Sequence, residues 1–422
     1  MKKSGVFSLT VVVAALGYFV DIYDLQLFNL VADKSLRGIG IEDPQQLAQY
    51  NYTLFLWQMG GMLAGGVLWG ILGDKRGRKS ILFGSILLYS IANILNGLVT
   101  DIHQYEAVRF FAGLGLAGEL GAAITLVSEV MDKQQRGWGT MIIVTVGALG
   151  AVAANLLAKN LDWQISYFVG GGLGLALLAL RVGTFESTMF AKVKESAAVK
   201  KGHFLSLFLS RERAVRYLCC ILVGLPVWFV IGILIKFAPA FAKATGVTGA
   251  ASAGDAIMYA YVGLSVGDLL SGAASQWSAS RRKVVIAYLI ACAALTVAYV
   301  TVQGLSLEAF YVLCLLLGAA TGYWALFVTI AAEQFGTNIR ATVTTTVPNF
   351  VRGAVIPITL SYKALEPARG PVTAGLIVGA ACIALAMASI LMLKETFGRE
   401  LDYIEEEGPG VAASGSTSGS SA

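Results

Sequence analysis

The chain has 422 residues, 56% of them hydrophobic and only 14% charged, against about a quarter charged in soluble domains. That composition excludes a soluble globular protein and leaves an integral membrane protein embedded in a lipid bilayer. A formal net charge of +5 would suggest anionic partners on a soluble surface, but membrane proteins gather cations in their cytoplasmic loops, so no nucleic-acid partner is implied.

Apolar runs of about twenty residues are long enough to cross the hydrocarbon core as helices. The first, 6–31, follows only five residues, exceeds the length of a signal-peptide core and ends without a small-residue cleavage site, so it reads as a membrane helix. It carries Asp21 and Asp24, three apart and therefore neighbours on the helix surface. The second run, 52–72, contains Trp57 and Gln58. It is joined to the third, 80–99, by Gly70-Ile-Leu-Gly-Asp-Lys-Arg-Gly-Arg-Lys79, a stretch with four cations. So short a loop joins two spans on one side, and its cations place that side in the cytoplasm. Its glycines permit close helix approach, and Asp74 stands where it can cap a neighbouring helix or pair with a loop arginine.

The fourth run, 105–131, opens on Arg109-Phe-Phe-Ala-Gly-Leu-Gly-Leu-Ala-Gly-Glu119 and is followed by Arg136, seven residues beyond Glu129. The fifth and sixth runs are 138–157 and 165–184, and Gly170-Gly-Gly-Leu-Gly174 in the latter reads as close helix packing. A polar, lysine-rich segment, 186–216, is the expected cytoplasmic linker between an N-terminal six-helix bundle, 1–185, and a C-terminal one, 217–394. The second set of runs is 217–241, 256–277, 284–302, 309–334, 341–362 and 372–393. Residues 395–422 form a cytoplasmic segment whose Gly/Ser/Ala-rich end, from 408, is expected to be disordered. Twelve spans put both termini on one side. Most of the 31 Lys and Arg residues fall in the loops this assigns to the cytoplasm, and Arg109, Lys236 and Arg352 are placed within spans. Both termini are therefore expected inside.

The five cysteines all lie in apolar runs without metal-ligand spacing and read as buried hydrophobes, and the two histidines lie in loops. No phosphate-binding Gly-rich loop ending in Lys-Ser/Thr occurs, which argues against nucleotide hydrolysis. No metal site and no cofactor are expected. An internal repeat supports two halves: a shift of 204 residues lays Gly118, Glu129 and Arg136 on Gly322, Glu333 and Arg340, and Arg78-Lys79 on Arg282-Lys283. Ser278 falls opposite Asp74, so the second copy lacks the loop acid.

The pattern G-x-L-x-D-x-x-G-R-K between the second and third spans resembles the signature loop of the major facilitator superfamily of transporters. The resemblance implies an all-α fold of twelve membrane helices in two pseudo-symmetric six-helix bundles, working by alternating access on a small molecule at mid-membrane. It further implies a monomer in the inner (plasma) membrane and no enzymatic activity. The spacing of Glu129 and Arg136, repeated in Glu333 and Arg340, with Arg78 and Glu186 in one half and Arg282 and Glu395 in the other, is similar to the salt-bridge belt of sugar porters and metabolite:proton symporters. Such a belt closes the cytoplasmic side and breaks on inward opening. The competing reading is ordinary positive-inside charge.

Asp24 in the first span and Arg109 in the fourth lie at comparable depth, roughly 10 and 6 Å at about 1.5 Å per residue, and could meet. Isolated charges in a membrane are costly, so such groups pair or line a wet cavity. The combination is similar to proton symporters, which implies proton coupling through Asp21, Asp24, Arg109 and Glu119; a purely structural ion pair is the alternative. Arg352, beside Asn349 and beyond Pro348 in the eleventh span, resembles the arginine of organic anion transporters, and its planar fork suits a carboxylate. Asp268 is the rival partner. Tyr323, Trp324, Trp228 and Gln58 are the further candidates for substrate contact. Gly224-Leu-Pro-Val-Trp-Phe-Val-Ile-Gly232 lacks the amides of sugar porters, so sugar specificity does not carry over; with Arg352, the resemblance implies a small organic anion, read as a carboxylate, moved with protons, and a neutral metabolite or a non-transporting sensor is the alternative.

Overall fold

The computed structural model describes residues 9–76, 78–131, 136–188, 204–336 and 338–398. The first half contains α1 (Leu9–Gly38), α2 (Pro44–Arg76), α3 (Arg78–Asn96), α4 (Ile102–Leu116), α5 (Glu119–Val130), α6 (Arg136–Asn160) and α7 (Trp163–Thr188). The second begins with α8 (Arg211–Val223), α9 (Leu225–Phe229), a π-helical turn at Val230–Ile235 and α10 (Ala238–Ala244). It continues with α11 (Ala253–Trp277), α12 (Arg281–Thr301), α13 (Leu307–Ala320), α14 (Trp324–Gln334), α15 (Arg340–Gly353) and α16 (Val355–Met392).

These segments make twelve membrane passes. Ten helical stretches are individually long and apolar enough to cross a bilayer, and Ile81–Asn96 is a shorter apolar helix. One of the ten, Arg340–Met392, has 53 residues, about 80 Å of helix, against a hydrocarbon core of about 30 Å. It turns back at Gly370, whose φ of +74° is open to glycine without strain. The fourth pass consists of α4 and α5, broken at Ala117-Gly118, and the tenth of α13 and α14, broken at the positions 204 residues on, Thr321-Gly322. The seventh pass, expected as one run, is interrupted after α8, where Gly224 and Pro226 end the regular hydrogen-bond ladder. Irregular backbone at that depth is tolerated because it lies against protein or a cavity and not against lipid.

Small residues set the helix spacing within each half. A Cβ on Gly61 or Gly65 of α2 would collide with the backbone of Phe110 or Leu114 in α4. The same contact recurs in the second half, where Gly263 and Gly267 of α11 press on Leu315 and Ala319 of α13. Without water to drive helices together, such close approach supplies the dispersion contacts that hold a membrane bundle. The internal repeat thus extends to the packing. All five cysteines are buried and unpaired.

The halves meet along α2 with α15 and α6 with α11, pairs that the repeat makes equivalent. At the face carrying the α2–α3 loop, Asp74 accepts hydrogen bonds from Ala341 N and Thr342 N, at 3.3 and 2.8 Å, at the start of α15. At the opposite face, Lys159 of α6 pairs with Asp255 of α11. Also near that face, Lys236 Nζ lies 3.5 Å from the centroid of the Phe55 ring in α2. The bundles therefore touch on both sides of the membrane.

Candidate functional site

Between these two closures, α15 turns Arg352 toward α1 across the bundle boundary. Arg352 is 1% exposed. Its Nη2 donates to Asp21 Oδ2 and to the Tyr18 hydroxyl, and its Nη1 to Asn349 Oδ1, each at 3.4 Å. All three bonds are at the long limit of a hydrogen bond, and Nε has no partner among the described residues. The guanidinium is held loosely and keeps capacity for a tighter anion. Beside it is a cavity of ≈ 20 Å³, room for about one water, lined by Tyr18, Trp228, Tyr261, Trp324 and Arg352 among others. Trp324 Nε1 donates to the Tyr18 hydroxyl at 3.1 Å, and Gln26 Nε2 to the Tyr261 hydroxyl at 2.6 Å, so aromatic groups of both halves meet in its wall.

Of the residues expected at the substrate, Arg352, Trp324 and Trp228 line this cavity. Asn349 stands behind Arg352, its Nδ2 donating to the carbonyls of Ala117 and Thr345, both at 2.7 Å. Tyr323 turns away and donates to the Val223 carbonyl at 2.9 Å. Gln58 accepts from Arg109 instead. Asp268, the expected rival for Arg352, caps α14 by accepting from Ala325 N at 2.9 Å, where a carboxylate opposes the helix dipole. Arg352 pairs with Asp21. The sequence reading missed Tyr18 and Tyr261; Tyr18 precedes Asp21 by three residues, and that spacing alone puts both toward one neighbour.

Asp24 and Arg109 do not pair in this structure. On a helix of about 100° per residue, Asp24 stands about 60° round from Asp21, away from the bundle boundary. It faces α7, where a Cβ on Gly170 would strike its Oδ1. Neither carboxylate oxygen has a well-formed hydrogen bond among the described residues, although the Asn93 side chain of α3 lies close enough to act on it. Arg109 donates to Gln58 and its guanidinium lies 4.5 Å from the centroid of the Phe28 ring, one turn along α1 from Asp24. Glu119 forms a two-pronged ion pair with Arg181 of α7, the Nη1–Oε2 bond being 3.0 Å. Arg181 is 1% exposed, a fourth cation inside the spans where the sequence reading placed three.

At the α2–α3 loop face, the side chains of Arg78, Glu129, Arg136 and Glu186 lie outside the described residues. Asp74 makes the contact between halves, adding a 2.5 Å bond from Thr342 Oγ1. In the second half Glu333 pairs with Arg281, at 2.7 and 2.9 Å. Arg282, the residue aligned by the repeat, donates from its side chain to the Leu391 carbonyl at 2.9 Å. Arg281 occupies the first position of α12 and points inward at 2% exposure, while Arg282 is turned one position round. Arg340 donates to the carbonyls of Ala332 and Phe335, at 3.1 and 3.3 Å. Glu395 accepts from Ser280 Oγ at 2.5 Å and from the backbone N–H groups of Arg281, Arg282 and Phe397. Burial raises the Glu395 pKa, but these hydrogen bonds outweigh it and hold the carboxyl below its ordinary value.

A family model described as the Major Facilitator Superfamily matches residues 14–359. The chain is 27% identical over 417 residues to the putative niacin/nicotinamide transporter NiaP of Bacillus subtilis (strain 168), covering 92% of this chain and 96% of that one. It is 28% identical over 277 residues to the 3-(3-hydroxy-phenyl)propionate transporter of Escherichia coli (strain K12), covering 64% of this chain and 66% of that one. Among solved structures it is similar to FucP, a transporter in the outward conformation, with a TM-score of 0.70 at 15% identity over 92% of this chain and 99% of that one; at that identity the likeness concerns the fold. The matched family model, the twelve helices in two repeated halves and the relatives agree: this chain belongs to the major facilitator superfamily and is a multi-pass membrane transporter, not an enzyme.

Proposed function

We propose that this protein carries small organic anions, aromatic carboxylates by preference, together with protons by alternating access. The observation that carries the proposal is the buried pair of Arg352 and Asp21 across the bundle boundary, beside a cavity walled by Tyr18, Trp228, Tyr261 and Trp324. A guanidinium binds a carboxylate by two parallel bonds, and an aromatic wall favours a flat ring. The two relatives named above are transporters for niacin/nicotinamide and for a phenylpropionate, in keeping with that chemistry.

The coupling follows from charge balance. In the empty site Asp21 neutralises Arg352. A substrate carboxylate that takes the guanidinium leaves Asp21 as an excess buried anion, which a proton neutralises; one proton and one monovalent anion leave the net charge of the site unchanged. An uncompensated charge at that depth is costly, so binding of the two is linked. Asp24, one turn along α1, is the relay through which the proton reaches Asp21. Glu119 is withdrawn into its pair with Arg181, so its contribution is to hold α5 against α7.

The excess of Lys and Arg in one set of loops supports a reading in which both termini and the α2–α3 loop are cytoplasmic and the protein works as a monomer in the inner membrane. On that orientation Asp74 at the start of α15 closes the cytoplasmic side and Lys159–Asp255 the outer side. The apolar seventh pass, with Leu225, Val227, Phe229 and Val230 all buried, gives sugar hydroxyls few partners.

Purified protein assayed for thermal shift with nicotinate and with nicotinamide tests the charge requirement, because the two differ in the carboxylate. Uptake into liposomes with and without an imposed pH gradient tests the coupling. Selective stabilisation by nicotinate or another aromatic acid, with gradient-driven accumulation of that acid, is expected. Equal stabilisation by nicotinamide, or uptake indifferent to the gradient, overturns the corresponding half of the proposal.

A further inference from the structure

The interior of the first bundle carries a polar stripe that the substrate cavity does not use. Ser85, Tyr89, Asn93 and Asn96 recur on α3 at intervals of four, four and three residues, so they share one helix face over about three turns. Ser90 lies next to it. All five are at most 1% exposed. Among the described residues, the hydroxyls of Ser85, Tyr89 and Ser90 and both side-chain polar atoms of Asn96 lack a hydrogen-bond partner, and Asn93 makes no well-formed bond although its side chain reaches toward the Asp24 carboxylate. Buried polar groups in folded proteins are nearly always satisfied by protein or water, and a run of orphans on one face is the pattern that internal water fills.

The stripe leads to Asp24. Gly170 and Gly174 stand one turn apart on α7; a Cβ on the first would strike Asp24 Oδ1, and one on the second Ser90 Oγ. The Asp24 carboxylate and the α3 hydroxyls thus point at the same glycine face. From the other side the Arg109 guanidinium acts on Asp24; its Nε and Nη1, and Nε2 of the Gln58 to which it donates, have no partner among the described residues. The remaining ionisable groups around it are Asp21 and Tyr23 on α1, Tyr89 on α3 and Tyr167 on α7, with Glu119 and Arg181 beyond Tyr89. Donors and acceptors are both present in number, which suits water better than a metal cation, since the Arg109 guanidinium would repel a second positive charge. Asn96 is the last residue of α3, four positions before the exposed Thr100.

We propose that this stripe is a hydrated seam inside the first bundle, in which water bridges the groups from Asn96 to Asp24 and conducts protons to Asp24 from the outer face without passing through the substrate cavity. It rests on the proton-coupled reading above for its function, though not for the presence of water. Each transfer moves one proton from a seam water to the Asp24 carboxylate; that water is replenished by its neighbour, and the last by bulk solvent, so no other reactant is needed. Proton entry and substrate entry then use different paths to the two aspartates of α1.

Hydroxyl-radical footprinting of the purified full-length protein, with radicals generated by X-ray radiolysis in ¹⁸O-labelled water, reads water beside a buried side chain independently of transport. Tyr89 should be oxidised severalfold faster than Tyr299, which is equally buried but donates its hydroxyl to the Leu234 carbonyl. Asn93→Leu should slow Tyr89 labelling and lower the ratio of pH-driven uptake to substrate counterflow severalfold. Asn93→Ser, which keeps a hydrogen-bonding group, should restore much of both. Tyr89 labelling no faster than Tyr299 removes the seam, as does an unchanged uptake-to-counterflow ratio in Asn93→Leu of a transporter that does accumulate substrate on a pH gradient. A wild-type protein that labels at Tyr89 yet shows no pH-driven accumulation retains the water and refutes proton coupling instead.

Discussion

Asp21→Asn separates competition from coupling. On the proposed function the substrate of the wild type must displace Asp21 from Arg352. At the observed 3.4 Å and an effective dielectric of about 20, their attraction is about 5 kcal/mol; moving the carboxylate out to about 7 Å would leave about 2.4 kcal/mol. The difference, about 2.5 kcal/mol, corresponds to an affinity change between about ten- and a hundredfold. Asparagine keeps the shape and removes the competing charge, so nicotinate or another bound aromatic acid should bind that much more tightly at neutral pH. Wild-type affinity should rise as the pH falls, because protonating Asp21 frees the guanidinium; in Asp21→Asn that dependence should vanish. Without ligand the variant leaves Arg352 uncompensated, a defect of about 3 to 5 kcal/mol in buried pairs, so its thermal midpoint should drop and be recovered by the acid. Isothermal titration over a pH series in detergent, with thermal unfolding alongside, measures each quantity. Weaker binding in Asp21→Asn, or an undiminished pH dependence, would show that Asp21 is not the group the substrate displaces.

Other substitutions address separate parts of the scheme. Arg352→Ala should abolish stabilisation by carboxylates while sparing the fold, because Asp21 can then be neutralised by a proton; a normal nicotinate shift would remove Arg352 from the site. Asp24→Asn should suppress pH-driven accumulation by about tenfold or more and keep counterflow, a combination that liposome assays resolve. Asp74→Ala removes charge-assisted bonds worth about 1.5 to 3 kcal/mol each from the start of α15, so spin labels on the cytoplasmic ends of α2 and α15 should report a wider separation; an unchanged distance distribution would reject the closure role. Glu395→Gln should lower stability by about 1 kcal/mol, the scale of a lost cap. Because the folded pKa is held below the ordinary value, the wild-type advantage is full above about pH 4.3 and is lost as pH falls through the folded value, so denaturation curves of the two proteins should converge in acid.

Residues whose chemistry clashes with an apolar surrounding were legible in the sequence; the direction in which each points was not. Arg352 stood out because a cation near the middle of a span needs a partner, yet whether Asp268 or Asp21 met it depended on how α1 and α15 are rotated, and hydropathy carries no rotation. The expected meeting of Asp24 and Arg109 erred by one turn of α1: their depths agree to within the length that places Arg109 over Phe28. In the second half the repeat selected Arg282, whereas the first position of α12 turns Arg281 onto Glu333. The α3 stripe was present in the letters, since Ser85, Tyr89, Asn93 and Asn96 follow helical spacing, but a reading of apolar run length counts such residues only as weak spots in a span. The break in the seventh pass was signalled by Gly224 and Pro226 in an otherwise apolar segment.

Two aspartates three residues apart on one helix face different surroundings, and that arrangement suits coupling better than either acid alone. Asp21 faces the boundary between bundles, where rigid-body rocking changes what it touches; Asp24 faces the interior of the first bundle, whose internal contacts such a motion leaves intact. A proton donor that stayed at the boundary would lose its path whenever the bundles closed around the substrate. One placed inside a bundle would keep its neighbours, Asn93 and Arg109 among them, through a rigid-body rocking motion. In the proposed scheme transfer between the two acids spans a single helical turn, about 5 Å, and the state of the cleft would decide whether Asp21 takes the proton or keeps Arg352. On the proposed function α1 is the element shared by the proton path and the substrate path, and loss of either aspartate should uncouple the two without abolishing the movement of the bundles.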